Sequence, residues 1–269
     1  MENTIIPQNK LKRRLREGQA CIGTMLVEFR QPSVMQLLAN AGFDFVIIDN
    51  EHGPFSIETI ADLSRAARQL GVTPIVRVSD ITYTQITQAL DSGAQGIMIP
   101  RVTEPQQVVS ALNMMKYPPV GKRGSVLARG HTDFKGGSVA EAMTAANQES
   151  MLVVQVETLP ALECLDEILS ITGIDVALVG PNDLSIALGV PDQMQHPKLE
   201  AAIERTIAVC NRRGIVPAIH MNDLQLAAMW TGRGMRMISV SSEVGLTMKA
   251  GSEAVAAVAK AFTQGNPKS

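Results

Sequence analysis

The chain has 269 residues, of which 45% are hydrophobic and 19% are charged, and its formal net charge is −2. These values are typical of a globular protein with a sizeable core, and they give no basic excess for binding nucleic acid or an anionic membrane. Three cysteines without C-x-x-C spacing argue against a disulfide framework, and no segment has the pattern of a membrane span or a signal peptide. We therefore expect a cytoplasmic protein that binds neither nucleic acid nor membrane.

Short apolar runs rich in Val and Ile predict strands that are buried on both faces. In chain order they are 21–27, 44–49, 74–78, 96–100, 152–156, 176–179, 216–219 and 237–240. Helical patterns separate these runs, and the basic run 10–16 ahead of the first is predicted to close the barrel floor or to form an exposed helix. Eight strand–helix units without a composition break predict one (β/α)₈ barrel domain over 1–269, ahead of an open doubly wound sheet.

Residues that end and begin helices occur between the predicted strands. A glycine follows a helical pattern and precedes a strand at six places: Gly42, Gly71, Gly93, Gly173, Gly214 and Gly234. Glycine tolerates the left-handed conformation that ends a helix. Polar residues that follow strands are predicted to cap the next helix: Ser79, Asp80, Thr103, Ser241 and Ser242.

Two segments depart from a plain strand–helix alternation. About 50 residues separate the fourth and fifth strands, which is more than one crossover helix needs, and they include the glycine-rich basic segment 116–137. Long insertions of this kind shape the active site of a barrel or a subunit contact. The final predicted helix, 242–262, has Ala and Val at helical spacing and suits packing on its own barrel or on a neighbouring subunit.

Polar residues concentrate where the predicted strands end, which is where barrels build their chemistry. They are Asp49, Glu51, His52, Arg77, Arg101, Gln155, Glu157, Asn182, Asp183 and His220. Glu157 and Asp183 are a natural metal pair, because Mg²⁺, Mn²⁺ and similar ions prefer oxygen ligands. His52 suits a general base, and Arg77 presents the planar fork that binds a carboxylate at two points.

Each of these residues also has a purely structural explanation. Asp183 could cap the helix that follows it, and His52 could be a hydrogen-bonded loop histidine. Arg77 has Asp49 and Glu51 available as ion-pair partners across the barrel mouth. The functional interpretation rests on their coincidence at one rim of one inferred barrel.

Several common catalytic motifs are absent from the chain. There is no H-x-H or H-E-x-x-H spacing for zinc, no G-x-x-x-x-G-K-[ST] loop and no G-x-S-x-G elbow. Of the remaining histidines, His220 has the right rim position and is a secondary candidate. His131 has only its place in the insertion to favour it, and His196 is predicted to be solvated in a polar loop.

Five motifs in the same order resemble the metal-dependent (class II) pyruvate aldolases. They are D-N-E-H-G-P-F (49–55), P-I-V-R-V (74–78), Y-P-P-V-G-K-R-G (117–124), V-V-Q-V-E-T (153–158) and V-G-P-N-D-L-S (179–185). That family includes 4-hydroxy-2-oxoheptanedioate and 2-dehydro-3-deoxyglucarate aldolases. The resemblance implies a phosphoenolpyruvate/pyruvate-type TIM barrel, usually a homo-hexamer built as a trimer of dimers. It also implies cleavage of 2-keto-3-deoxy or 4-hydroxy-2-oxo acids into pyruvate and an aldehyde through a pyruvate enolate.

The resemblance also implies roles for individual residues. Glu157 and Asp183 would bind the divalent metal (Mg²⁺, Mn²⁺ or Co²⁺), and Arg77 would hold the carboxylate or enolate oxygen of pyruvate. Further residues would surround the bound 2-oxo acid: Gln155, Gly180, Pro181 and Asn182. His52 would be the acid/base histidine, oriented by Asp91, whose spacing alone indicates an ordinary helix end.

Other functions remain open at the level of sequence. Family members often carry a second glycine soon after R-G, whereas here the next glycine after Gly124 is Gly130. The identity of the acceptor aldehyde therefore cannot be transferred from the family to this chain. The same metal–enolate site suits an oxaloacetate-type decarboxylase or a lyase for a CoA-linked substrate. A CoA lyase would want a basic groove, for which the candidates are Lys122, Arg123 and Arg129. A barrel without catalytic activity is the remaining alternative.

Overall fold

Eight parallel strands close into a barrel in the computed structural model, which describes residues 5–264. They are β1 (Cys21–Leu26), β2 (Phe45–Asp49), β3 (Thr73–Arg77), β4 (Gly96–Ile99), β5 (Met151–Val156), β6 (Val176–Val179), β7 (Val216–Met221) and β8 (Met237–Ser242). Each strand pairs with its sequence neighbours, and β8 pairs with β1 to close the ring. The predicted (β/α)₈ barrel is confirmed, and every predicted strand lies within about two residues of its observed bounds.

Helices connect the strands and form the outer layer. They are α1 (Lys10–Arg16), α2 (Ser33–Asn40), α3 (Ile57–Gln69), α4 (Tyr83–Ser92), α5 (Pro105–Met115), α6 (Val139–Glu149), α7 (Leu159–Glu163), α8 (Leu165–Ile168), α9 (Pro181–Ala187), α10 (Pro197–Arg213), α11 (Leu224–Gly232) and α12 (Glu243–Gln264). None of the helices within residues 5–264 is long and apolar enough to cross a membrane. All three cysteines are unpaired, as predicted.

The predicted helix ends are confirmed and the predicted helix starts are partly wrong. All six glycines have positive φ, and Gly93 and Gly214 are the C-caps of α4 and α10 at φ 120° and 68°. Ser242 caps α12 by accepting from the Gly245 amide at 3.1 Å. The helices α4 and α5, however, begin after Thr82 and Glu104.

A glutamine side chain explains both displaced starts. Gln85 Oε1 accepts from the backbone amides of Ser79 and Asp80 at 3.0 and 3.1 Å. Gln107 Oε1 accepts from the amide of Thr103 at 2.7 Å. Because these amides are bound by a side chain from inside the helix, each helix begins one or more residues beyond the predicted cap.

The core has an inner part within the barrel and an outer part between strands and helices. Side chains alternate along each strand, so that Ala218 of β7 points inward and Ile219 points to the helices. Leu11 and Leu15 of α1 are buried with the inner set. The basic run 10–16 therefore closes the amino-terminal end of the barrel. Of the two predictions for this run, closure of the barrel is confirmed.

The insertion between β4 and β5 lies along α4 and at the amino-terminal end of the barrel. Lys116 Nζ donates to Ser150 O, just before β5, at 2.9 Å. Gly124 N donates to the Tyr83 hydroxyl at 2.9 Å, and Gly130 O accepts from Arg68 at 2.7 Å. Within one chain these contacts lie outside the barrel mouth, so the prediction that this segment shapes the active site or a subunit contact stays a prediction.

Helix α12 packs on β1 and β8 near its start and then projects away. Its residues Met248, Val255 and Val258 are 65%, 70% and 60% exposed. On β1, Ile22 points outward and is 50% exposed, although outward strand side chains in a barrel are ordinarily covered by helices. An apolar helix face and one apolar side chain of β1 are thus both uncovered.

Candidate active site

A pocket of about 270 Å³ opens at the carboxyl ends of the strands. Predicted site residues that line it are His52, Arg77, Gln155, Gly180, Pro181, Asn182 and Asp183. Glu157 lies directly behind Gln155 and is almost fully buried. Asp91 is not among the lining residues. The structure therefore brings together every predicted site residue except Asp91.

The floor of the pocket is a layer of inward-pointing strand side chains. In barrels of this type alternate strands contribute to each layer, and here the odd strands supply Met25, Arg77, Gln155 and His220. A layer from the even strands lies below it and consists of Ile47, Met98, Leu178 and Ser239. The floor thus offers a guanidinium, an amide and an imidazole around one apolar side chain.

Arg77 is held in place by two carboxylates. Its Nε and Nη2 donate to the two oxygens of Asp49 at 2.9 and 2.7 Å, and Nη1 lies 3.0 Å from Glu51 Oε2. Burial alone would raise the pKa of Asp49, but the hydrogen bonds and charge of Arg77 hold it below its usual value. A guanidinium carries five N–H groups, so one on each terminal nitrogen remains for a substrate. The structural role suggested for Arg77 is therefore real and leaves room for a binding role.

Glu157 receives two hydrogen bonds from its surroundings. Gln155 Nε2 donates to Oε2 at 2.5 Å and the Arg101 amide donates to Oε1 at 2.7 Å. Arg101 adopts a left-handed φ of 52°, which aims its amide at the carboxylate and is uncommon for a residue other than glycine. A Cβ on Gly180 would lie 2.8 Å from Glu157 Oε2, so only glycine fits there without displacement.

The donors around Glu157 fit a divalent cation. Burial raises the pKa of Glu157 to about 7, and the charges of Asp183 and Glu51 act in the same direction, against the Arg101 hydrogen bond and the Arg77 charge. Gln155 Oε1 is buried and has no hydrogen-bond partner. No group of three or more His, Cys, Asp or Glu side chains within residues 5–264 could hold a metal. The arrangement therefore suits an ion that takes two carboxylates and completes its shell with water and substrate oxygens.

The raised pKa of Glu157 gives a pH dependence to metal binding. The carboxyl must lose its proton before it can bind a cation, so below pH 7 the affinity for Mg²⁺ is expected to fall about tenfold per pH unit. Calorimetric titration with Mg²⁺ at pH 6 and pH 8 would measure this, and proton uptake by the buffer would reveal the displaced proton. Equal affinity at both values would contradict the expectation, and Glu167→Gln, an exposed change outside the pocket, should keep the wild-type dependence.

His52 lies at the exposed edge of the pocket. Its side chain is 72% exposed, and Nε2 lies 3.8 Å from Glu51 Oε2. Asp49 Oδ1 accepts from the backbone amides of Glu51 and His52 at 3.0 and 3.3 Å. The same carboxylate therefore fixes both Arg77 and the loop that carries His52.

Asp91 lies at the opposite end of the barrel from His52. It is in the last turn of α4, which leads into the amino-terminal end of β4, whereas His52 follows the carboxyl end of β2. Its carboxylate pairs with Arg123, and its carbonyl lies 3.4 Å from His131 Nδ1. The orienting role that the resemblance implies for Asp91 would need a contact that the single chain does not make.

The residues around the start of α9 differ in what they can offer. The Gly180 amide donates to Val156 O at 3.2 Å and is already used. Asn182 and Asp183 lie in the first turn of α9, where amides have no partner within the helix. Asp183 is inside the helix and Gly180 is its N-cap, so the structural explanation of Asp183 as a cap is wrong.

The remaining histidines have distinct surroundings. His220 Nδ1 lies 2.9 Å from the hydroxyl of Ser239, which is fully buried. Burial lowers the pKa of His220 to about 4, the Arg77 cation acts in the same direction and Asp49 opposes it, so the imidazole is neutral near pH 7. His131 is buried outside the pocket, and His196 caps α10 by accepting from the Lys198 amide.

Sequence reasoning missed the Arg101 amide, and it placed the secondary candidate His220 at the rim of the barrel instead of in the pocket floor. The Arg101 amide contacts Glu157 through a backbone conformation that its sequence does not signal. His220 could have been placed in the floor, because counting every second residue from Val216 through Ala218 leads to it.

Comparison with known proteins identifies the family. Residues 24–250 match the HpcH/HpaI aldolase/citrate lyase family. The chain is 35% identical over 246 residues to a hydroxypyruvate/pyruvate aldolase of Pseudomonas aeruginosa, covering 91% of this chain and 90% of that one. It is 34% identical over 252 residues to a 4-hydroxy-2-oxo-heptane-1,7-dioate aldolase of Escherichia coli, covering 93% and 94%.

Solved structures agree with the sequence relatives. The crystal structure of an HpcH/HpaI aldolase from Desulfitobacterium hafniense superposes with a TM-score of 0.88 at 32% identity and covers 92% of this chain and 96% of that one. The family predicted from the five motifs is thereby confirmed, and the chain belongs to the HpcH/HpaI aldolase/citrate lyase family.

Proposed function

We propose that the chain is a divalent-metal-dependent aldolase, a carbon–carbon lyase that cleaves 4-hydroxy-2-oxo or 2-keto-3-deoxy acids into pyruvate and an aldehyde. The observation that carries this proposal is the convergence of Glu157, Asp183 and Arg77 on one pocket in a chain of the aldolase family. The names of the two relatives support 2-oxo acids as the substrate class.

The residues of the pocket have separable tasks in this reaction. Glu157 and Asp183 would hold Mg²⁺, Mn²⁺ or Co²⁺, which supplies the positive charge that polarises the keto group of the 2-oxo acid. Arg77 binds the 2-oxo acid through its two free N–H groups and offsets negative charge on the enolate. Gln155, Asn182 and the neighbouring backbone position the molecule.

The bond changes balance as an aldol addition and its reverse. In the direction of aldol addition, the imidazole of His52 accepts a proton from C3 of pyruvate. C3 then bonds to the carbonyl carbon of the aldehyde. The aldehyde oxygen takes the proton from the His52 imidazolium to become the 4-hydroxyl group, which returns the imidazole to its neutral form. In cleavage the His52 imidazole accepts the proton of the 4-hydroxyl group, the C3–C4 bond breaks, and C3 takes that proton from the imidazolium. The exposure of His52 suits a group that must reach an incoming aldehyde.

Proton exchange at C3 of pyruvate tests this proposal without knowledge of the acceptor. Pyruvate is incubated in D₂O with the protein and Mg²⁺, and loss of the methyl signal is followed by NMR. Exchange that requires the metal and stops with EDTA is the expected result. No exchange with Mg²⁺, Mn²⁺ or Co²⁺ would refute the aldolase and would favour the barrel without catalytic activity.

The three basic residues predicted for a CoA-binding groove, Lys122, Arg123 and Arg129, do not line the pocket. Arg123, one of its three candidate residues, is buried in an ion pair with Asp91 and stacks 4.6 Å from the Tyr117 ring. That cluster lies outside the pocket. Oxaloacetate decarboxylation would pass through the same pyruvate enolate and is distinguished by release of carbon dioxide.

The assembly proposed for the chain is a homo-hexamer, built as a trimer of dimers. Its support is the uncovered apolar face of α12 together with the exposed Ile22 of β1, since helices of neighbouring copies would bury both.

Charges placed on the apolar face of α12 are expected to break this assembly. Val255→Glu together with Val258→Glu would put two carboxylates into the apolar contact, so light scattering after size exclusion should show a smaller species than the wild type. Ala257→Glu, which lies on the opposite face of the helix, is the matched control and should assemble normally. An unchanged mass for the double variant would exclude this face as the contact.

A further inference from the structure

The neutral His220–Ser239 pair forms a part of the pocket floor to which the aldol reaction assigns no task. Both side chains point into the barrel, His220 in the floor layer and Ser239 in the layer below it. The pair lies on β7 and β8, whereas the metal carboxylates lie at the ends of β5 and β6 and Arg77 lies on β3.

The hydrogen bond between the two side chains decides which nitrogen of His220 is protonated. The Ser239 hydroxyl is fully buried, and among residues 5–264 the structure gives it no acceptor other than His220 Nδ1, at 2.9 Å. A buried hydroxyl hydrogen requires an acceptor, so Ser239 donates and the ring proton resides on Nε2. His220 Nε2 has no hydrogen bond within the described chain and is not buried, so this N–H faces the pocket.

The position of His220 relative to Arg77 indicates which end of the substrate it meets. In an eight-stranded barrel β7 lies across from β3, so His220 faces Arg77 over the pocket floor. The proposed function directs the carboxylate and keto oxygens of the 2-oxo acid towards Arg77 and the two metal carboxylates. The remaining carbon, C3, then points to the opposite side, where His220 and Met25 lie.

We propose that His220 Nε2–H, held by Ser239, binds a hydroxyl group on C3 of the 2-oxo acid, so that the pocket prefers 3-hydroxy-2-oxo acids to unsubstituted pyruvate as the nucleophile. This inference rests on the proposed function and assigns the substrate class at one end of its site. A neutral imidazole suits a hydroxyl, whereas a carboxylate on C3 would call for a cation there.

Depth in the barrel separates this group from the acceptor aldehyde. His220 is a strand residue in the floor layer, below the exposed His52 loop, and so contacts the molecule that binds first and deepest. Met25 of the same layer offers an apolar surface that suits the carbon of either nucleophile.

Internal competition between two nucleophiles tests the proposal directly. Equal concentrations of hydroxypyruvate and pyruvate are supplied with Mg²⁺ and one aldehyde, glyoxylate, and the two products are separated by mass. Their ratio is the ratio of the two kcat/KM values and does not depend on the amount of active protein. The wild type should favour the hydroxypyruvate product, and His220→Leu should lower the ratio about tenfold, as expected for loss of one hydrogen bond.

Three further variants separate the hydrogen bond from general damage. His220→Gln keeps a neutral donor and should retain a product ratio within about threefold of the wild type. Ser239→Ala should lower the ratio about tenfold, as His220→Leu does, because the imidazole loses its orientation. Met237→Leu, two residues before Ser239 on β8 and buried in the inner core outside the pocket lining, is the matched control and should leave the ratio unchanged. If His220→Leu does not fold, the contrast between Ser239→Ala and Met237→Leu decides the matter.

The outcomes distinguish this inference from the function on which it rests. A product ratio that is the same in wild type, His220→Leu and Ser239→Ala would overturn the role of His220 while leaving the aldolase intact. A wild type that favours pyruvate would overturn it as well. Absence of pyruvate C3 exchange with every metal would refute the aldolase itself, and the assignment of His220 with it.

Discussion

Replacement of Arg77 by alanine should lower the rate of pyruvate C3 exchange by about 10²- to 10³-fold, because the enolate loses a preorganised donor. The same change should also lower the free energy of unfolding by about 3–5 kcal/mol, since the buried carboxylate of Asp49 is left without its partner. Exchange followed by NMR and urea unfolding followed by circular dichroism measure the two effects separately.

The lysine variant separates the two roles of Arg77. Arg77→Lys keeps a cation near Asp49 and Glu51 and should recover much of the stability, but it lacks the fork that leaves two N–H groups for substrate. We therefore expect its exchange rate to stay low while its unfolding curve approaches that of the wild type. Arg212→Ala, which removes an exposed ion pair with Asp166, is the control and should change neither property. Wild-type exchange in a folded Arg77→Ala variant would refute the binding role.

Replacement of Glu157 by glutamine should abolish metal-dependent exchange, with a loss of about 10³-fold or more, because a neutral amide cannot supply the anionic ligand. Calorimetry should find Mg²⁺ binding weakened to the same degree. Asp183→Asn should act similarly, and Glu167→Gln, an exposed carboxyl-to-amide change outside the pocket, should leave binding and exchange as they are. Full activity in Glu157→Gln would remove the metal pair from the mechanism.

The same Glu157 variant should not lose stability when metal is absent. The pKa of Glu157 is raised in the folded protein to about 7, so folding is opposed once the pH exceeds the ordinary value of a glutamate carboxyl, and the full cost is present above pH 7. Glutamine carries no charge and removes that cost. Metal-free Glu157→Gln is therefore expected to be at least as stable as the wild type at pH 8 and to lose that advantage as the pH falls below the ordinary glutamate range. Urea unfolding in EDTA at pH 8 and pH 4 would measure it.

The strands were predictable because each is a short apolar run that is buried in the barrel wall, and six of the eight have shortly before them a glycine that was predicted to end a helix. The helix starts near Ser79 and Thr103 were not, since the deciding contact comes from Gln85 and Gln107 inside the helix. The residue types that favour helix N-caps do not reveal that a glutamine inside the helix accepts hydrogen bonds from the amides ahead of it.

The candidate site was also predictable from the sequence only in part. Motif order brought Glu157, Asp183 and Arg77 together, because strand ends in a barrel necessarily converge. The resemblance also linked Asp91 to His52. The last turn of α4, which carries Asp91, lies at the amino-terminal end of the barrel, away from the mouth. The contacts of a residue at a helix end, such as Asp91, depend on which segment of the same or another chain packs against it. Neither the spacing of residues in the sequence nor its composition contains that information.

The division of the pocket into strand residues below and loop residues above bears on how such proteins diversify. A substitution at His220 or Met25 alters the packed interior, so a new nucleophile must be acquired together with a tolerable change in folding stability. A substitution at an exposed loop residue of the rim, such as Asn222, carries no such constraint. Descendants of one ancestor are therefore expected to exchange aldehydes readily while retaining their keto acid, and laboratory evolution should meet the same asymmetry.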